Sequence, residues 1–362
     1  SAQAATGCAG ADGAMSLGLL SKGANWVPME WVRPLSGVKL VLPFYHIVGD
    51  AYIPHVSNLY QFRTIAEFTA DVEFFARHFE PVTLGDIVAA LNGTRKLPRR
   101  CFHLTFDDGF REMHDVVAPI LLRAGISGTF FLTTKFLDGG GLAHHNEISL
   151  LLDKIHAQPP SDAVVERLEP FLPAPQHGMT MLRERMLAIP YADNANVRSM
   201  AEILEVDIEG YVRRTQPHLS SEQVRAMIGQ GFAIGGHSHD HPLYGKLTPA
   251  EQLNQTRTCM GILDEKFGLG PRAFAFPHND DGVGREFFTE LFSEGTLEVS
   301  FGTSGFVAHS HRRNLERASM EKTSAPADRI LKRQFARAAY HRLRSRSRAE
   351  VAANPQAVRG SR

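Results

Sequence analysis

Residues 101–106 form a short apolar run that stops at Asp107-Asp108-Gly109. Residues 111–124 then carry a helical pattern closed by Gly125, and 128–133 form a second apolar run. Strand, helix, strand in that order predicts two parallel neighbours, because a parallel pair needs a crossover of a dozen or more residues. A chain containing such a unit is drawn toward an α/β architecture, and the same rhythm recurs on both sides of it.

Upstream, 38–44 is rich in Val and Leu, ends at Tyr45-His46, and reads as a strand. Thr64-Ile65-Ala66-Glu67 is a capping box, and Ile65, Phe68, Val72, Phe75 and Phe79 share one face of the helix it opens. A shorter helix is expected over Leu84–Leu91, stopping near Gly93. Downstream, 220–230 reads as a helix and 232–236 as a strand. Thr248-Pro249-Ala250-Glu251 is a second capping box with Pro at the first helical position. Residues 272–276, 283–293 and 298–301 complete the series as strand, helix and strand. Repeated βα units predict a barrel or a doubly wound sheet, and in both the chemistry sits at the carboxyl ends of the strands.

Residues 142–218 interrupt the alternation with Pro159-Pro160, Pro170, Pro173, Pro175, Pro190 and Pro217 among helical fragments. They read as a mostly helical insertion. Strand 128–133 leads into it, so it is expected beside the mouth of the site, with His144, His145 and Asn146 either within reach of substrate or on a surface loop. The expected organisation is an N-terminal extension over 1–37, the α/β unit over 38–320, and a basic tail over 321–362.

Composition narrows the function classes. Of 362 residues, 43% are hydrophobic and 22% charged, which excludes a disordered or fibrous chain. Lys+Arg and Asp+Glu are both 39, so no nucleic-acid partner is expected over most of the surface. Three cysteines far apart in sequence give no disulfide framework and no Cys-based zinc site. Seventeen histidines are more suggestive, since neutral imidazole is the commonest metal ligand. No run of 18 apolar residues exists to form a transmembrane helix. Residues 1–14 lack the charged start and apolar core of a signal peptide. A cytoplasmic location is therefore favoured, with the cell envelope open if a leader has been removed. Residues 329–348 carry eight Lys/Arg and no Asp or Glu. They read as a solvated, partly disordered helix with a weak apolar stripe of Ile330, Leu331, Phe335 and Leu343, or as a weak contact with an anionic membrane or polymer.

Three segments at strand ends could carry chemistry. The first is Thr105-Phe106-Asp107-Asp108-Gly109. Adjacent carboxylates are electrostatically costly without a nearby cation or proton. Successive side chains of an extended chain diverge, so one Asp can face a metal and the other a reacting water; an ordinary Asp-Gly turn is the plainer reading. The second is His237-Ser238-His239-Asp240-His241-Pro242. His237 and His241 can converge on one metal if the backbone curls, with His239 pointing away; a polar surface loop is the alternative. The third, Phe276-Pro277-His278, reads by itself as a strand stop.

Together, Thr-Phe-Asp-Asp-Gly and a later His-Ser-x-x-His-Pro resemble the polysaccharide deacetylase family, the NodB-homology domain or carbohydrate esterase family 4, over about residues 38 to 320. The resemblance implies a distorted (β/α) barrel of the NodB-homology type with fewer than eight units, here with a mostly helical insertion. It implies a divalent metal, Zn²⁺ with Ni²⁺ or Co²⁺ as alternatives, and an acetylated glycan or amino-sugar substrate that loses its N-acetyl group. Matched residue by residue, Asp108, His237 and His241 correspond to the metal triad and Asp107 to the catalytic base. His278 falls where the family's main-chain N–H helps to hold the oxyanion. The later Leu-His motif that supplies the general acid is not visible, and near the carboxyl end only His309 and His311 stand in a loop-like 308–313. Some members related to exopolysaccharide deacetylases carry Tyr-His at a strand end before the paired aspartates. Leu42-Pro43-Phe44-Tyr45-His46 is similar to that arrangement, and His46 is preferred as the acid. The same chemistry on an O-acetyl ester or a non-sugar amide, and a non-catalytic carbohydrate-binding protein, are the rival readings.

Overall fold

The computed structural model describes residues 28–174, 181–307 and 309–353; the readings of residues 1–14 lie outside them. Eleven short strands are present among these residues. They are β1 (Leu40–Val41), β2 (Pro43–Tyr45), β3 (Glu80–Pro81), β4 (Cys101–Phe102), β5 (Leu104–Phe106), β6 (Gly128–Leu132), β7 (Ala233–Gly236), β8 (Ala273–Ala275), β9 (Val299–Gly302), β10 (Asn314–Glu316) and β11 (Ala318–Ser319).

Eight of them form one parallel sheet in the order β10-β9-β8-β7-β6-β5-β2-β11. β10 and β11 lie at opposite ends of that order, yet only Arg317 separates them in the chain. One segment therefore borders β9 on one side and β2 on the other, and the sheet curls into a nearly closed barrel with Arg317 at the seam. The expected (β/α) barrel is the observed architecture.

Alternation along the strands builds two cores. Phe130 and Leu132 of β6 join Leu104 and Phe106 of β5 in the cluster that packs outward against Phe68, Val72 and Phe75 of the helix Ile65–His78. Phe131 points the other way, into a cluster with Leu42, Ala273, Ala275, Val299 and Phe301. The two expected capping boxes, at Thr64 and Thr248, form and start the helices Ile65–His78 and Pro249–Phe267, and the structure adds one at Ser220 that starts Ser221–Gly229.

Several expected elements are redrawn by the structure. The run 38–44 is two strands broken at Leu42, because β1 joins β4 and β3 in a separate three-stranded sheet while β2 enters the barrel. The break between β4 and β5 falls at buried His103, whose ring bonds the Val82 carbonyl and the Thr129 hydroxyl. The helix 111–124 begins as a π-turn over Met113–Val117 and becomes α-helical at Ala118–Ala124. Pro119, with no N–H for the turn before it, falls just inside that junction.

The insertion contains the helices His144–Ala157, Asp162–Leu168, Leu182–Leu187, Asn194–Ile203 and Ile208–Thr215. It has its own apolar cluster, with Leu151, Met186, Val197 and Met200 fully buried. Asn146 and Ser149 tie it to the loop after β2 by donating to the carbonyls of His55 and Pro54. The basic tail is not a solvated appendage. It forms the helix Ala327–Ala353, whose Ile330, Leu331, Phe335 and Ala338 belong to the main core beside Met29 and Val32 of the helix Met29–Ser36. Leu343 is 58% exposed and leaves the stripe. Among the described residues no helix is long and apolar enough to cross a membrane.

Candidate active site

The paired aspartates leave the end of β5 in a tight reversal. Asp108 and Gly109 both have positive φ, 71° and 76°, so consecutive left-handed residues turn the chain and send the two carboxylates apart. After β7 the chain curls through Ser238 and His241, again at positive φ, and the Ser238 hydroxyl accepts the His241 backbone N–H at 2.9 Å.

This curl brings both imidazoles to one oxygen. Nε2 of His237 lies 3.3 Å, and Nε2 of His241 3.0 Å, from Oδ1 of Asp108. His237 Nδ1 is 2.8 Å from the Ala275 carbonyl, which can only accept, so Nδ1 carries a proton and Nε2 is the ring nitrogen left to ligate beside Asp108. Asp108 Oδ1 is buried and lacks a hydrogen-bond partner among the described residues. Lone pairs converging on an orphaned carboxylate oxygen fit a divalent cation, and two imidazoles with one carboxylate are the donor set of an open, hydrolytic site. His239 does point away, its Nδ1 3.0 Å from the Thr134 hydroxyl.

Asp107 faces into the barrel. Its two oxygens take a fork of hydrogen bonds from Arg317, at 2.6 and 2.8 Å, and both side chains are essentially sealed from solvent. The guanidinium also donates to Thr105 Oγ1 and the Gly302 carbonyl and lies over the Phe44 and Phe131 rings. Burial alone would raise the Asp107 pKa; the Arg317 charge reverses that and lowers it.

His46, at the end of β2, is held by Glu321. The ring Nδ1 is 2.7 Å from Oε2, and the His46 backbone N–H donates to the same carboxylate. Burial would lower the imidazole pKa, but the Glu321 charge and hydrogen bond carry it up to about 9. A pocket of about 210 Å³ is lined by His46, Asp107, His278, Thr303, Glu321 and Lys322. His278 has φ 60°, and its carbonyl accepts from Thr303 Oγ1 at 2.9 Å. Its ring stands between His241 and His145, 4.7 and 5.3 Å away.

The remaining candidates go elsewhere. His309 Nδ1 accepts the His311 N–H, so its proton is on Nε2, which faces Asp280 3.5 Å away. That arrangement is a His–Asp contact and not a ligand set, although Glu316 is also near. His311 stacks flat on Phe292. His144 and Asn146 are buried in structural hydrogen bonds, which leaves His145 as the residue of the insertion's first turn that reaches the His278 ring. Arg317 and Glu321 are absent from the sequence reading. Residues 314–322 carry four charges, Glu316, Arg317, Glu321 and Lys322, and nothing local marks the two that become buried.

The sequence profile of the family described as polysaccharide deacetylase matches residues 94–164 and 180–283. No protein of curated function matches the chain. Among solved structures, Streptococcus pyogenes deacetylase PplD, in complex with acetate, is 13% identical with a TM-score of 0.52, over 82% of this chain and 98% of that one. IcaB from Ammonifex degensii is 17% identical with a TM-score of 0.50, over 84% of this chain and 97% of that one. At these identities the likenesses are of fold, and they agree with the barrel described above. With the profile spanning both the paired aspartates and the His-x-x-x-His curl, the chain belongs to the polysaccharide deacetylase family.

Proposed function

We propose that this protein is a metal-dependent carbohydrate N-deacetylase that removes acetyl groups from an amino-sugar-containing glycan. The observation that carries the reading is the convergence of Asp108, His237 and His241 on one point beside a pocket walled by Asp107 and His46. A bound divalent cation, Zn²⁺ or a similar ion, would supply Lewis acidity and a more acidic water.

The chain's own groups divide the proton work. Asp107 accepts the proton of the attacking water. Its fork with Arg317 occupies one lone pair on each oxygen, and a carboxylate has about four acceptor positions. Arg317 keeps Asp107 ionised inside the barrel and fixes its plane. The His278 backbone N–H is assigned to the oxyanion, as its place in the motif implies. His46, protonated at neutral pH because Glu321 faces it, donates to the leaving amine. Acetate and a free amino sugar result. Acetate release from a panel of acetylated amino-sugar glycans, O-acetyl esters and small amides, with Zn²⁺, Ni²⁺ or Co²⁺ supplied, tests the reading. Release from the amino sugars supports it. Turnover of esters or small amides only would move the activity to another acyl bond, and binding without turnover would make the protein a lectin-like one.

A further inference from the structure

All seven tyrosines lie among the described residues, and six hydroxyls have a partner. Tyr45 and Tyr52 donate to Asp71 and Asp153, and Tyr191 donates to Asp240. Tyr211, Tyr244 and Tyr340 are bonded to His55, Thr256 and Arg344. Tyr60 is different. Its Oη is buried and has no hydrogen-bond partner among the described residues. A buried phenol normally satisfies its O–H, and an exception points to a group supplied from outside the chain.

Tyr60 sits in the loop between β2 and the helix Ile65–His78, and it lines the same pocket as His46, Asp107 and His278. Its ring rests against the His46 ring, with centroids 5.1 Å apart. Its neighbours in the site are the Asp108, Glu321 and Asp107 carboxylates, and a phenol, with an ordinary pKa of about 10, is a hydrogen-bond donor at neutral pH. Donors facing such a site are useful where negative charge develops.

We infer that Tyr60 Oη–H donates a hydrogen bond to the acyl oxygen of the substrate. It would strengthen as water adds to the carbonyl carbon and the π pair moves onto that oxygen. No proton is transferred from Tyr60: it is a neutral donor in the pocket that His278 also lines. The inference rests on the deacylation reading above.

The test is Tyr60→Phe, which keeps the ring on His46 and removes the donor. With metal-loaded protein and an acetylated amino-sugar glycan, kcat is expected to fall by about 10²-fold. KM should change by less than about threefold, as befits a contact made in the transition state. Metal content, the urea midpoint and the alkaline limb of the pH profile should stay as in the wild type. A kcat within about threefold of wild type, or a loss expressed in KM alone, overturns the inference. Acetate affinity, measured by calorimetry on the metal-loaded protein, separates this from the function itself. If the wild type releases no acetate from any glycan, the deacetylase reading fails. Tyr60 is then judged by acetate alone: binding about tenfold weaker in Tyr60→Phe supports the donor, while equal affinity, or no binding by the wild type, overturns it.

Discussion

Replacing Arg317 by Met should do more damage than any other single change within the barrel. The substitution keeps an unbranched apolar stem among Phe44, Phe131 and Phe301 and removes the cation that lies over those rings. It leaves Asp107, with 2% of its side chain exposed, buried without its fork of hydrogen bonds. Breaking a buried ion pair by deleting one partner costs about 3–5 kcal/mol, because the stranded charge keeps its desolvation penalty. Arg317→Met should therefore lose about 3–5 kcal/mol of unfolding free energy at pH 7, measured by urea denaturation. Asp107→Asn combined with Arg317→Met leaves no stranded charge and should recover most of that loss.

The pH dependence supplies an independent sign. In the wild type the Asp107 pKa is lowered on folding, so its contribution is present above the unfolded value of about 3.9 and is lost as pH falls through the folded value. In Arg317→Met the upward push of burial is no longer opposed by its main counterforce. The folded state then binds a proton that the unfolded state releases, and stability falls as pH rises above about 3.9. The variant should thus gain stability on mild acidification where the wild type does not. An Arg317→Met protein within about 1 kcal/mol of wild type at pH 7, with the same pH slope, would refute the claim that Arg317 holds Asp107.

Asp108→Ala, His237→Ala and His241→Ala should each bind less than stoichiometric Zn²⁺ by elemental analysis and lose turnover, since each removes one of three converging ligand atoms. On the proposed assignment of Asp107 as base and not ligand, Asp107→Asn should retain the metal and lose most of kcat. His46→Ala should lower kcat by about 10²–10⁴-fold with metal content intact. Glu321→Gln removes the main charge that carries His46 to about 9, so burial is less opposed and the imidazole pKa falls. The alkaline limb of kcat should move to lower pH. The pair's contribution to stability, fully present below pH 6.5 and lost as pH rises through about 9, should disappear with it.

What could be read from the sequence is what its chemistry keeps local. Asp107 and Asp108 are neighbours, and His237 and His241 are four apart, so each half of the proposed metal site is a continuous string of letters. The capping boxes are local for the same reason: a side chain and a backbone group three residues apart satisfy each other. Arg317 and Glu321 lie 210 and 275 residues from the side chains they hold. Only closure of the barrel brings them together, and the strands that carry it there are two or three residues long, too short for any periodicity. The tail misled for a different reason. Eight cations dominate its composition, yet Ile330, Leu331, Phe335 and Ala338 form one helical face that the core needs.

The seam of the barrel also holds the partners of both groups to which proton transfer is assigned in the proposed reaction. Arg317 and Glu321 are four residues apart on the segment that passes between β9 and β2, and they act in opposite directions on two groups of one pocket. The guanidinium lowers the pKa of Asp107 against its burial and keeps it an acceptor. The carboxylate raises the pKa of His46 against its burial and keeps it a donor. In the proposed reaction, environments that drive a carboxyl and an imidazole apart in this way suit one to act as base and the other as acid within one pocket. Because a single short segment supplies both partners, a chain that failed to close its barrel would lose the ionisation state of both groups at once. Fold closure and a correctly protonated site are, in this protein, consequences of the same few residues.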